Sequence, residues 1–86
     1  VFNNSSSPTM NNVTATATGG NGSYGVINIT SSSPTIRNSS ITGTTNSIFN
    51  DSSTAQVADS MLDGLRDGNG IFCVGVYDES FAQIIC

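Results

Sequence analysis

Apolar residues occur along this chain in short runs that are separated by short polar breaks. Most of them are β-branched or aromatic, as in residues 26–29 and 71–74. Such residues favour strands, whereas the Ser, Thr, Asn and Gly residues between them oppose helix. The pattern therefore predicts an all-β chain that contains several short strands in succession.

A repeat is the strongest signal in the sequence. Residues 5–12 (Ser-Ser-Ser-Pro-Thr-Met-Asn-Asn) return as residues 31–38 at an offset of 26, and again as residues 52–59 at a further offset of 21. The matches continue on both sides of these segments. They include Val1-Phe2-Asn3 with Val26-Ile27-Asn28 and Ile48-Phe49-Asn50, and Ala15 with Ile41 and Leu62. Three aligned copies indicate a repeat architecture.

The length of the repeat favours a β-solenoid. Leucine-rich repeats are similar in length, but this chain has only two leucines, and helical repeats are longer. A short coil that holds several strands is one rung of a solenoid, stacked on the next rung at about 4.8 Å. We expect three rungs over residues 1–64, with repeats near 1–17, 26–43 and 48–64. A C-terminal capping hairpin is expected over residues 65–86.

Stacking places equivalent residues of successive rungs directly above one another. Apolar residues that recur at one repeat position should therefore form continuous columns and fill the coil. Two columns of this kind are expected, Met10/Ile36/Val57 and Phe2/Ile27/Phe49.

One polar column has a physical role in this arrangement. Asn12, Asn38 and Asp59 occupy the same repeat position, and we expect them to point inward at a corner between strands. There each amide would bond the next and satisfy backbone groups that strands cannot reach. The alternative is that these residues are ordinary solvent-facing turn residues.

The connection between the first two rungs is longer than its counterpart in the next rung. Residues 17–25 correspond to residues 43–47, so a Gly-rich loop carrying Tyr24 should bulge from one side of the solenoid. The alternative is an insertion that has no role. Tyr24 and Tyr77 are the candidate glycan contacts.

The last segment departs from the repeat. Two apolar runs, 70–77 and 81–86, flank the polar residues 78–80, a pattern typical of a hairpin. Cys73 and Cys86 are placed symmetrically about the tip, so they would lie opposite each other within the Cα separation of about 4.4–6.8 Å that a disulfide needs. Their number and setting favour a disulfide, which would close the cap over the third rung.

Composition and charge exclude several classes of function. The chain has no Lys and no His, which removes a P-loop lysine, a histidine base and a histidine-ligated zinc site. A net charge of −4, with two cationic and six acidic residues, argues against nucleic acid as a partner. No apolar run approaches the roughly 20 residues that membrane insertion needs. Because the chain opens on Val rather than Met, we expect a processed product or an excised piece.

With these features the sequence resembles the right-handed parallel β-helix repeat proteins of the pectin-lyase-like superfamily. The resemblance is carried by a Val/Ile-Phe/Ile-Asn segment followed by Ser-Ser-Ser-Pro-Thr-Ile/Met-x-Asn, as in residues 31–38. Residues 63–64 and 73–81 look like the C-terminal end of secreted bacterial β-helix proteins. The resemblance covers nearly the whole chain and implies a right-handed parallel β-helix of about three rungs.

The resemblance implies less about function than about fold. The superfamily contains polysaccharide lyases, hydrolases, phage tailspikes and non-catalytic surface proteins. Its enzymes use clustered carboxylates, often with calcium, or a basic Arg or Lys. Here Asp51, Asp59, Asp63 and Arg37 do not form a recognisable catalytic set, so we expect no catalytic residue, no metal site and no cofactor.

Three functions are compatible with these features. The expected one is a non-catalytic structural or adhesive module, secreted or on the cell surface, that forms the end piece of a surface protein or fibre. Its partners would be further rungs or identical protomers, with carbohydrate as a candidate ligand. The second is the C-terminal remnant of a polysaccharide lyase or hydrolase whose active rungs lie upstream. The third is an ice-binding solenoid, favoured by the threonine row 14–18 and its match at 40–44, which 61–65 interrupts.

Overall fold

The computed structural model describes all 86 residues, Val1–Cys86. The chain folds into eleven β-strands and has no helix, so no helix of the length and apolarity needed to cross a membrane is present. In chain order the strands are β1 (Phe2–Asn4), β2 (Thr9–Asn11), β3 (Thr14–Ala17), β4 (Tyr24–Ile29), β5 (Thr35–Arg37), β6 (Ser40–Gly43), β7 (Asn46–Asn50), β8 (Ala55–Ala58), β9 (Met61–Asp63), β10 (Arg66–Asp67) and β11 (Ile71–Val74).

The strands form three sheets in which all neighbours are parallel. The first sheet has the order β1-β4-β7-β10, the second β2-β5-β8-β11 and the third β3-β6-β9. Each of the first three rungs contributes one strand to every sheet, and β10 and β11 begin a partial fourth rung. The predicted all-β parallel solenoid is therefore confirmed. We use "upstream" for the end at β1 to β3 and "downstream" for the opposite end.

The pairing register follows the repeat that the sequence shows. The equivalent sets are Phe2/Ile27/Phe49, Met10/Ile36/Val57 and Ala15/Ile41/Leu62. The longer connection between the first two rungs lies between β3 and β4, where residues 18–22 are exposed. Three glycines in it, Gly19, Gly20 and Gly22, have φ between 71° and 77°, a region that residues with a Cβ rarely adopt.

The core contains one of the two expected apolar columns. Met10, Ile36 and Val57 are buried, as predicted. They pack in a single cluster with the inward residues of the other sheets and of the tail, namely Ala15, Val26, Ile41, Ile48, Leu62, Ile71, Val76 and Ile84. The solenoid interior thus contains one continuous cluster of apolar side chains that extends from the first rung to the tail.

The second expected column does not fill the coil. Phe2, Ile27 and Phe49 stack as predicted, but they lie on the outer face of the first sheet, and Phe2 is 62% exposed. Side chains alternate between the two faces of a strand. Because the next residue of each strand is an inward-pointing asparagine, the apolar residue before it must point outward.

The predicted Asn12/Asn38/Asp59 ladder is wrong, since all three side chains are exposed. Their φ angles are 58°, 49° and 50°, so each is the left-handed residue that turns the chain from the second sheet to the third. Asn and Asp adopt this conformation more readily than other residues with a Cβ. They recur because each rung needs a left-handed residue at this corner. The alternative interpretation, solvent-facing turn residues, is therefore the correct one.

An asparagine ladder does exist, in the column Asn3, Asn28 and Asn50. Asn3 Nδ2 donates to Asn28 Oδ1 at 2.8 Å, and Asn28 Nδ2 donates to Asn50 Oδ1 at 2.7 Å. All three side chains are buried, and Asn28 is fully so. The amide of Asn50 ends the ladder on the carbonyl oxygens of Asn69 and Gly70, at 3.2 and 3.3 Å.

The tail combines a fourth-rung strand with the expected hairpin. The strand β11 pairs in parallel with β8, so the first apolar run continues the solenoid as well as forming one arm of the hairpin. The other arm returns antiparallel through the Tyr77–Gln83 bridge, and Ile84 N donates to Val76 O at 2.8 Å. The predicted Cys73–Cys86 disulfide is confirmed, with the two Cα atoms 5.3 Å apart.

Candidate functional site

The largest groove of the molecule, of about 730 Å³, runs along the corner between the second and third sheets. Its long wall is the corner column, which we define as Asn12, Asn38 and Asp59. At its downstream end the groove meets the tail tip, residues 77–81, where Tyr77 and Phe81 form part of the lining. The groove therefore combines stacked polar side chains with two aromatic rings.

Two of the three turns of the corner column, at Asn38 and Asp59, are held by serine side chains. Ser39 Oγ donates to Arg37 O at 2.7 Å, and Ser60 Oγ donates to Ala58 O at 2.7 Å. Each of these hydrogen bonds bridges one left-handed corner residue and holds the turn in shape. The fourth rung has Gly75 at the equivalent corner, with φ of 62°, so the wall of side chains stops at Asp59.

The same serines link neighbouring rungs. Val13 N donates to Ser39 Oγ, and Ser39 N donates to Ser60 Oγ, both at 3.1 Å. These bonds satisfy backbone amides that the sheet ladders do not reach at the corner. The spacing of the corner column is therefore set by the rigid stacking of the solenoid, at about 4.8 Å per rung.

The polar groups of the groove are largely available for a ligand. Asn38 Nδ2 donates to Asn11 Oδ1 at 3.3 Å in the exposed surface. The side chains of Asn12 and Asp59 make no hydrogen bond within the chain, and both are exposed. Amides supply donors and acceptors, and a carboxylate supplies acceptors. The wall thus offers one hydrogen-bonding side chain per rung, two amides followed by a carboxylate.

The tail tip holds its aromatic rings on a tight turn. Asp78 Oδ1 accepts hydrogen bonds from Ser80 N at 2.8 Å and Ala82 N at 3.0 Å, and Phe81 N donates to Asp78 O at 3.1 Å. The side chain of Phe81 is 86% exposed and that of Tyr77 is 44% exposed. Asp78 therefore positions the tip, and the two rings remain open to a partner.

The structure separates the residues that the sequence marked as candidate contacts. Tyr77 lies in the groove, together with all three residues of the mispredicted ladder. Tyr24 lies elsewhere, on the first sheet, with its ring centroid 5.5 Å from that of Phe49. Phe81 was missed because a single aromatic residue after a turn has no periodic signal in the sequence.

No group of three or more carboxylate or cysteine side chains that could hold a metal ion occurs in the structure. Comparison with known proteins adds no assignment for the groove: no protein-family model, no curated protein and no solved structure matches the chain. The geometry of the groove and the chemistry of its walls are therefore the basis for a functional assignment.

Proposed function

We propose that this chain is a non-catalytic, extracellular β-solenoid module with a structural or adhesive role, and that it contacts carbohydrate along the groove. The proposal rests on one observation: the corner column and the exposed rings of Tyr77 and Phe81 line the same open groove. Concave sites with a few convergent polar groups are the usual places for ligands.

The chemistry of the walls matches that of a sugar chain. Sugar hydroxyl groups both donate and accept hydrogen bonds, as the side-chain amides of Asn12 and Asn38 also do. The C–H faces of sugar rings are apolar and pack on aromatic rings, whose large surfaces dominate many interfaces. A linear polymer of sugars also suits a wall whose polar groups repeat from rung to rung.

The carboxylates of the groove support a binding role over a catalytic one. Most glycoside hydrolases need two carboxyl groups that flank the scissile bond. Asp59 is one such group, but Oδ1 of the nearby Asp78 already accepts two backbone hydrogen bonds that hold the tail tip. Asp78 thus has a structural role in the tip, which leaves Asp59 as the one carboxylate of the groove without such a role, and one is too few for that mechanism.

Secretion and membership of the pectin-lyase-like superfamily are part of the proposal. The parallel stacking, the inward asparagine ladder and the Ser-rich corners support the resemblance in fold. The Cys73–Cys86 disulfide supports an oxidising compartment. The alternative of a polysaccharide lyase or hydrolase remnant stays open, because upstream rungs could carry the carboxylates that this chain lacks.

The ice-binding alternative has weaker support. The register places Thr14 beside Ser40 and Thr16 beside Thr42 in the third sheet, so the first two rungs share a hydroxyl-bearing face. The third rung continues these rows with Met61 and Asp63. The regular threonine face is therefore interrupted after two rungs.

Glycan binding is the test of the proposal. We expect the protein to bind one class of polysaccharide on a glycan array, and Phe81→Ala to weaken that affinity at least tenfold in calorimetry. Phe72→Ala is the matched control, because Phe72 is 59% exposed on the second sheet, outside the groove. The control should keep the affinity of the unmodified chain, and neither protein should release products from the bound glycan.

The absence of any glycan ligand would contradict the proposed function, and so would an equal loss of affinity in the two variants. Steady product release that stops in Asp59→Asn would replace the proposal with the enzyme alternative.

A further inference from the structure

We propose that the upstream end of the solenoid is a docking face for one further solenoid coil that carries an asparagine at the ladder position. The upstream end consists of the free edges of β1, β2 and β3, each of which pairs only with its downstream neighbour. Free strand edges present unpaired N–H and C=O groups that bind another strand. The side-chain acceptors at this end restrict the partner further, to a strand-forming segment that brings hydrogen-bond donors to them.

The hydrogen bonds of the buried ladder all run in the same direction along the stack. Each ladder amide donates to the oxygen of the next rung downstream, from Asn3 to Asn28 and from Asn28 to Asn50. Asn3 Oδ1 is the one ladder oxygen that accepts no hydrogen bond within the chain, and it is reached by solvent at the open end, since no buried side-chain polar atom lacks a partner. A coil that covers this end would remove the oxygen from solvent, so it must bring a donor to that oxygen.

A serine column repeats the same direction. Ser6 N donates to Ser32 Oγ at 3.2 Å, and Ser32 N donates to Ser53 Oγ at 3.1 Å. The hydroxyl oxygen always accepts from the backbone of the preceding rung. The hydroxyl of Ser6, in the first rung, is thus the acceptor for a backbone amide of a coil that docks upstream.

A second copy of this chain does not satisfy these acceptors. Two upstream ends facing each other would bring no free ladder amide to either Asn3 oxygen, because each Asn3 Nδ2 already donates to Asn28 Oδ1. The downstream end of a second copy offers no ladder donor, because the amide of Asn50 already bonds the carbonyls of Asn69 and Gly70. The geometry therefore selects an additional coil of the same repeat, continuing the interface that already joins the rungs.

One corner of the docking face departs from the repeat. Val13 occupies the position of Ser39 and Ser60, whose hydroxyls accept an amide from the preceding rung. Valine has no such acceptor, so an added coil would leave one backbone amide unpaired at this corner. This residue makes the docking testable, because a serine there should help only when a coil is present.

The test extends the complete chain by one coil. A copy of residues 26–47 is placed directly before Val1, with the register that joins the second and third rungs. The copied Asn28 then lies over Asn3, and the copied Ser32 lies over Ser6. We expect the midpoint of thermal unfolding to rise by at least about 5 °C, since each added repeat contributes a new rung interface. The amides of Phe2 and Asn4, which face the open edge because Val1 and Ser5 bond the downstream strand, should become protected from hydrogen exchange.

Two matched variants separate specific docking from simple lengthening of the chain. Leucine in place of the copied Asn28 should abolish at least half of the rise, because it removes the donor to Asn3 Oδ1. Val13→Ser should raise the midpoint of the extended chain by about 2 °C or more relative to its effect in the 86-residue chain.

Three results would overturn the inference. The first is an extended chain with an unchanged midpoint and unprotected amides at Phe2 and Asn4. The second is an equal rise with asparagine and with leucine at the copied position. The third is a stable dimer of the 86-residue chain in sedimentation that already protects β1, because a second copy would then be the occupant. None of these measurements depends on whether the groove binds a glycan.

Discussion

At the scale of single residues, the asparagines show how position determines the role of a side chain. Asn28 belongs to a repeat position that is asparagine in all three rungs, and Asn38 to one that is asparagine in two rungs and Asp59 in the third. Asn28 lies inside the coil and joins two rungs, whereas Asn38 turns a corner and faces solvent. Replacing the two residues should therefore have different consequences.

Asn28→Leu should lower the free energy of unfolding by about 1–3 kcal/mol, because the buried amide of Asn3 and the buried oxygen of Asn50 lose their partner. Asn38→Gly is the control and should change it by less than about 1 kcal/mol, since the residue is exposed and glycine adopts the left-handed conformation of this corner without strain. Urea denaturation of both variants measures the difference. A larger loss at Asn38 than at Asn28 would contradict the assignment of the ladder.

At the scale of strands and turns, the tail has two functions at once. The strand β11 extends the second sheet, and the returning segment places Ile84 under the core beside Val76. The disulfide ties the last residue of the chain to that strand. The downstream end is therefore closed by a covalently fixed segment, in contrast to the open upstream end.

Cys86→Ser should destabilise the protein by about 3 kcal/mol, the chain-entropy value for a loop of this size. The returning segment would then separate from β11 more easily and expose Ile84 and Val76. Thermal unfolding in the presence and absence of reductant measures the effect, and reductant should not affect the variant further. An unchanged midpoint after reduction of the unmodified chain would show that the segment stays in place without the bond.

At the scale of the whole molecule, the solenoid is a short linear stack in which each rung contacts only its neighbours. Stability in such stacks is close to a sum over rungs and rung interfaces. The middle strands of the first sheet, β4 and β7, have partners on both sides, whereas β1 has a partner only downstream. The rungs should therefore differ in local stability.

Hydrogen exchange followed by NMR should show the strongest protection in β4 and β7. The weakest protection in the first sheet should be in its two edge strands, β1 and β10, because local opening at the end of a stack breaks one interface and not two. The Gly-rich loop, residues 18–22, should exchange fastest among the turns, because it is exposed and none of its backbone amides donates a hydrogen bond. Uniform protection of all three rungs would indicate a single cooperative unit and would contradict this ordering.

The fold was predictable from the sequence because stacking preserves the period of the chain. A parallel solenoid aligns residues that are one coil apart, so the columns Met10/Ile36/Val57 and Ala15/Ile41/Leu62 could be read directly from the repeat. The disulfide was predictable for a similar reason, since a hairpin pairs residues that are symmetric about its turn.

The direction in which each column points was decided only by the tertiary structure. Every column has the same period, whether its side chains enter the core or face solvent, so the repeat alone could not separate Asn28 from Asn38. The phase of each short strand and the left-handed corner residues determine this direction. The groove could not be predicted from the repeat either. Its wall consists of corner residues, and its end consists of aromatic residues on a turn that is distant in the sequence. Only the coiling of the chain brings the two together.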